Sequence, residues 1–165
     1  MNGTEKLKEL INGSNNIVFF GGAGVSTESG IPDFRSTDGL YHQEYDYPPE
    51  TILSHSFFMR NPEEFYRFYK NKMLCLDAKP NMAHKKLAEL EKAGGSKEVL
   101  ELHGSVHRNY CMKCGKSYDA EYMLHAEGVP TCSCGGRIKP DVVLYEEGLD
   151  MTVMARAIQA IQDAD

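Results

Sequence analysis

An apolar run, Ile17-Val-Phe-Phe20, passes directly into Gly21-Gly-Ala-Gly24. A short aliphatic and aromatic run closed by glycines predicts a buried strand that ends in a tight turn. Small residues at Gly22, Ala23 and Gly24 let a backbone approach a pyrophosphate closely, and a helix opening near Ser26 adds donors and a favourable dipole. The generic dinucleotide fingerprint is met only in part: Gly22 and Gly24 fit, but Thr27 stands at the third glycine position. Glycines after a strand also make simple turns, so this pair alone leaves both readings open.

The elements that follow alternate in type. Leu7, Leu10 and Ile11 recur at helical spacing before Gly13. Residues 36–56 read as a long loop. Asn61-Pro62-Glu63-Glu64 predicts a helix start, with Asn61 as cap and Phe65, Phe68, Tyr69 and Met73 as its apolar stripe. Pro80-Asn81 opens another helix, with Leu87 and Leu90 turned inward, ending at Gly94. Val99–Leu102 and Asp141–Tyr145 read as strands, and Met151, Met154, Ile158 and Ile161 mark a last helix. This order predicts an α/β fold: a Rossmann-like parallel sheet with an inserted small module. The boundaries expected are 1–103 for the sheet region, with a helical insertion at about 40–76, then 104–140 for the module and 141–165 for the return.

The module rests on cysteines. Cys111-x-x-Cys114 is followed, seventeen residues later, by Cys132-x-Cys134. Four thiolates suit tetrahedral zinc, and a site filled by protein ligands keeps no open position for chemistry. Free buried thiols and disulfides are the alternatives, and a reducing compartment disfavours the second. Cys75, in an aromatic-rich helix, reads as a small buried hydrophobe.

Six histidines are present, and spacing does not choose among them. His103 precedes Gly104 at the end of a short strand, where a loop can present it to a cleft.

Longer segments carry more. Gly22-Ala-Gly-Val-Ser-Thr-Glu-Ser-Gly-Ile-Pro-Asp-Phe-Arg-Ser36 resembles the hallmark segment of the sirtuin family. The likeness continues through residues 80–94 (PNMAHKKLAELEKAG), 101–115 (ELHGSVHRNYCMKCG) and 138–149 (IKPDVVLYEEGL). It implies an NAD-dependent enzyme that removes acyl groups from protein lysines, releasing nicotinamide and acyl-ADP-ribose. By that resemblance Gly22, Ala23, Gly24, Ser26 and Thr27 line the NAD phosphates and ribose. Asp33 helps hold the loop, Phe34 covers the nicotinamide pocket and Arg35 contacts the cofactor. His103 is the general base that helps deprotonate a ribose hydroxyl, a task suited to an imidazole. An acyl-lysine peptide adds as a strand near Val142, Val143 and Tyr145. A core role in a parallel sheet is the competing reading for Val143. His84 falls at a helical position with a structural role, while His42, His55, His107 and His125 read as loop or surface residues.

The resemblance also exposes a gap. Sirtuins carry a strand and a Gln-Asn-Ile-Asp-x-Leu-His motif between the helix ending in Ala-Gly and the strand before the catalytic histidine. Here Ala93-Gly94-Gly95-Ser96-Lys97 runs straight on, as if about 15–20 residues had been dropped. The Gly-Thr-Ser strand and the Asn-containing strand expected near the end have no counterpart either. The fold is therefore expected to be incomplete and the activity impaired. A catalytically inactive zinc-containing binding remnant and an ADP-ribosyl transferase are the alternative functions.

A net charge of -6 offers no basic face for nucleic acid. No apolar run reaches the roughly 18–20 residues that span a bilayer. Together these predict a cytoplasmic monomer without nucleic-acid or membrane partners.

Overall fold

The computed structural model describes residues 2–35, 39–40, 46–94 and 98–165. His42, part of the 36–56 segment expected as a loop, and Gly95-Ser96-Lys97 lie outside them; within that segment, Pro49–Ile52 and the residues from His55 on are helical instead. In chain order the elements are α1 (Gly3–Gly13), a 3-10 helix (Ala23–Ser29), α2 (Pro49–Ile52), α3 (His55–Arg60), α4 (Pro62–Lys72), α5 (Met82–Gly94), β1 (Gly104–Cys111), β2 (Ser117–Tyr118), α6 (Ala120–His125), β3 (Ile138–Val142) and α7 (Met151–Gln162).

The strands form one antiparallel sheet in the order β2-β1-β3. A register shift between Ser105 and Asn109 bends β1. Against it packs a pair of aromatic helices. Helix α3 is capped by Ser54, whose hydroxyl accepts from the Phe57 amide. Helix α4 starts at Pro62, but the Asn61 side chain makes no capping bond, contrary to the expectation. Phe58, Phe65, Tyr66 and Tyr69 meet edge-on or stacked and are fully buried. The same core cluster takes in Cys111, Ala120, Met123, Cys132, Ile138 and Leu144 from the sheet side, so helices α2–α4 and the sheet share one interior.

The remaining elements contrast with this. Helices α1 and α7 and the 3-10 helix contain no buried residue. Ile17–Phe20 is not a strand; Phe20 is 78% exposed. Val99–Leu102 is not a strand either, and Val99 is also 78% exposed. The strand expected at Asp141–Tyr145 is shifted toward the N-terminus, running Ile138–Val142 and pairing antiparallel with β1. The physical reason is the absence of neighbours. A strand exists only through its ladder partners, and a helix stripe is buried only when a sheet covers it. Among the described residues, no strand lies beside Ile17–Phe20 or Val99–Leu102. Cys75 is half-buried just beyond α4 and not within it.

Polar contacts still hold this outer frame. The Asp165 carboxylate accepts from the amides of Asn15 and Asn16, and Arg156 of α7 pairs with Glu98. No described helix is long and apolar enough to cross a membrane.

Candidate functional site

The cysteine cluster is the most completely built site. The four sulfurs of Cys111, Cys114, Cys132 and Cys134 lie within 4.8 Å of one another. Two tight turns aim them. The Gly115 amide donates to the Cys111 carbonyl at 2.9 Å, and the Gly135 amide to the Cys132 carbonyl at 2.8 Å. Both glycines have φ in the left-handed region, 73° and 78°. A Cβ on Gly136 would stand 2.5 Å from the Cys111 sulfur, so only glycine lets the second turn close over the cluster.

The electrostatics favour thiolates at Cys111 and Cys132. The backbone N–H of Cys134 and the Tyr118 phenol bring the Cys132 thiol down to about 6. Burial works against the Cys111 thiolate, but the amides of Cys114 and Lys113 outweigh it and hold that thiol below its ordinary value. Cys134 moves the other way, to about 12: the Gly136 amide favours its thiolate, but the sulfurs of Cys111, Cys114 and Cys132 crowd a proton onto it. A divalent cation in place of that proton takes the fourth thiolate, which is the donor set of structural zinc. The residues therefore fit zinc.

The glycine-rich segment forms a 3-10 helix with Gly22 as its first cap and Gly30, at φ 79°, as its last. The Ala23 and Gly24 amides precede the first intrahelical bond and have no acceptor among the described residues. A Cβ added at Gly22 or Gly24 would meet nothing within 4 Å, so this backbone faces open space. Ser26 is half-buried, and the Thr27 hydroxyl donates to the Gly24 carbonyl at 2.9 Å. Asp33 accepts from the Arg35 amide at 3.1 Å, and Gly39 lies so close to residues 33–35 that a Cβ there would be 2.8 Å from Asp33 Oδ1. Phe34 packs against the aromatic core, and Arg35 is exposed. An open, donor-lined backbone beside a held loop fits a dinucleotide phosphate.

His103 is exposed at the turn before β1. Its carbonyl accepts from the Val143 amide at 3.0 Å, so the histidine and the end of β3 are brought together. Gly104, at φ 74°, makes this possible: a Cβ there would overlap the Asp141 carbonyl oxygen. No hydrogen bond or ion pair joins His103 to residues 22–32 among the described residues. Val142 and Val143 are half-buried and Tyr145 is exposed. The backbone of Tyr145 is already engaged, donating to Leu53 at 3.0 Å and accepting from His55 at 2.9 Å.

One network was not legible beforehand. Glu147 Oε1 contacts His55 Nδ1 at 2.8 Å, and its Oε2 accepts from the buried Lys139 ammonium at 3.0 Å and the Leu144 amide at 2.9 Å. Glu146, at φ 75°, accepts from the Ser56 amide at 2.8 Å near the start of α3. His55 is thus a helix residue with a carboxylate partner, not a loop residue. No local motif marks this set, because its members are some ninety positions apart in sequence.

With that geometry in hand, the comparisons with known proteins define the class. The Sir2 family profile matches residues 22–94 and 88–165. The chain belongs to the Sir2 family. It is 52% identical to an NAD-dependent protein deacetylase of Clostridium acetobutylicum, covering 97% of this chain and 74% of that protein. It is 55% identical to one of Clostridium perfringens over the same shares. Among solved structures it resembles one concerned with sirtuin substrate affinity (37% identity, TM-score 0.83, 99% of this chain and 74% of that one). A Sir2 complex with p53 peptide and NAD+ gives 39% identity and a TM-score of 0.81, covering 99% and 73%. These neighbours place the chain in the Rossmann-like α/β class. The family match breaks at residues 88–94, and the Clostridium acetobutylicum alignment runs over 181 positions, more than the 165 residues available. A stretch of the relative therefore has no counterpart inside this chain.

Proposed function

We propose that this chain is an NAD-dependent protein-lysine deacylase of the Sir2 type whose turnover is impaired by its internal gap. The family match on both sides of residues 88–94 carries this reading. When bound, NAD supplies the ribosyl carbon that accepts the acyl group as nicotinamide leaves. The amides of Ala23 and Gly24 hold its phosphates, with Gly22, Ser26 and Thr27 around them. Phe34 shields the reacting carbon from water, and Arg35 presents a guanidinium to phosphate or ribose oxygens. Asp33 keeps that loop in place. His103 takes a proton from a ribose hydroxyl.

The substrate is an acyl-lysine peptide lying along Val142, Val143 and Tyr145. Because the Tyr145 backbone is engaged within the chain, the Val143 carbonyl, which accepts from no donor among the described residues, is the pairing group, with the exposed Tyr145 ring alongside. The nucleotide-binding region spans 1–103 and 141–165 around the zinc module at 104–140. Unpaired cysteines kept for metal support a cytoplasmic location, with the protein acting as a monomer.

A second reading has one observation in its favour: the buried core lies in the aromatic helices and the zinc module, outside the nucleotide segment. On this reading the chain is a non-catalytic binding module. Isothermal titration with NAD separates the two. Binding heat together with slow nicotinamide release from an acetyl-lysine peptide supports the enzyme lineage, and absence of heat leaves the binding module.

A further inference from the structure

No residue of the 3-10 helix at Ala23–Ser29 is buried as a whole, and the hydrogen bonds around it are local. The Val25 amide returns to Gly22, the Gly30 amide to Thr27 and the Ile31 amide to Ser26. Among the described residues, a single hydrogen bond reaches residues 22–32 from elsewhere in the chain. Asn81 Nδ2 donates to the Val25 carbonyl at 2.7 Å.

The other half of that amide is equally committed. Asn81 Oδ1 accepts from the Ala83 amide at 3.0 Å and the His84 amide at 3.3 Å, and it lies 2.9 Å from His84 Nδ1. Because Nδ2 faces a carbonyl and Oδ1 faces amides, the orientation of the side chain is set by its partners. Oδ1 can only accept, so His84 carries its proton on Nδ1. One side chain thus caps α5, fixes the His84 tautomer and grips the nucleotide segment.

We propose that Asn81, braced by His84, is a positioning residue for the dinucleotide segment: it sets the direction in which the Ala23 and Gly24 amides point. This rests on the NAD reading above. A helix cap alone requires only Oδ1, and an aspartate supplies that equally well. The donor to Val25 is what an aspartate cannot supply, and its carboxylate would repel the carbonyl.

Asn81→Asp therefore separates the two roles, and a negative charge at this helix start favours α5 itself. Hydrogen exchange of the cofactor-free protein is read first. The variant is expected to exchange the amides of residues 25–31 about tenfold faster, with α5 protection, zinc content and thermal midpoint unchanged. NAD affinity by titration is expected to fall by about tenfold or more. Equal exchange over 25–31 in the two proteins overturns the proposal, as does equal NAD affinity. If the unsubstituted chain gives no NAD heat, the functional reading fails, and the exchange comparison still decides whether Asn81 holds the segment.

Discussion

Arg137 lies across the ring of Phe58, 5.2 Å from its centroid, and donates from Nη1 to the Phe58 carbonyl at 3.0 Å. A residue three positions past the last cysteine thereby satisfies the end of a helix some eighty residues earlier. Nearby, the Tyr66 hydroxyl donates to the Ile138 carbonyl, and Lys70 reaches the carbonyls of Ala126 and Gly128. The aromatic helices and the metal module behave as one body, so damage to either is felt in both.

Phe58 is fully buried, and Phe58→Ala is expected to cost about 3–5 kcal/mol in urea unfolding. The loss should appear as a lower midpoint for sheet and helix signals together.

Two tyrosines on α4 make a sharper pair. Burial pushes both phenols well above their ordinary range. Tyr66 has a partner for its hydroxyl, whereas the buried Tyr69 hydroxyl has none among the described residues. Tyr66→Phe should destabilise by about 1 kcal/mol, while Tyr69→Phe should leave stability unchanged or raise it. Chemical denaturation of the two variants side by side checks the difference.

Cys132→Ser removes a thiolate that the surrounding donors have prepared. Elemental analysis should give one zinc per chain for the parent and little for the variant. Since Cys111 and Cys132 sit in the shared core, chelation should also lower the protection of Phe65 and Tyr66 in hydrogen exchange.

Burial disfavours the Glu147 carboxylate, but the Leu144 amide, His55 and Lys139 outweigh this and hold it below the usual value. A depressed carboxyl contributes stability that is complete above its unfolded value of about 4.3 and lost as pH falls through the lower folded value. Unfolding measured from pH 7 downward should show this acid loss in the parent, and Glu147→Gln should flatten that part of the profile.

Gly104→Ala places a Cβ on the Asp141 carbonyl at a positive φ. A cost of at least about 2 kcal/mol is expected, with β1 and β3 losing protection near His103.

How much of this was legible along the chain depends on distance. Cys111, Cys114, Cys132 and Cys134 announced themselves, because knuckle spacing is a local property that survives whatever else is missing. The α4 stripe was legible for the same reason, with Phe65, Phe68 and Tyr69 all buried. Ile17–Phe20 and Val99–Leu102 misled, because the same residues form a strand only when a partner strand supplies its donors and acceptors.

The sequence by itself determined the family, the cysteine cluster and the internal gap, since each is written in neighbouring residues or in their order. Only the tertiary structure decided where the interior lies and which side chains bridge it. Arg137 with Phe58, Glu147 with His55 and Lys139, and Asn81 with Val25 are pairings across long loops. Their energies depend on approach and burial, which no stretch of chain specifies until the whole has closed.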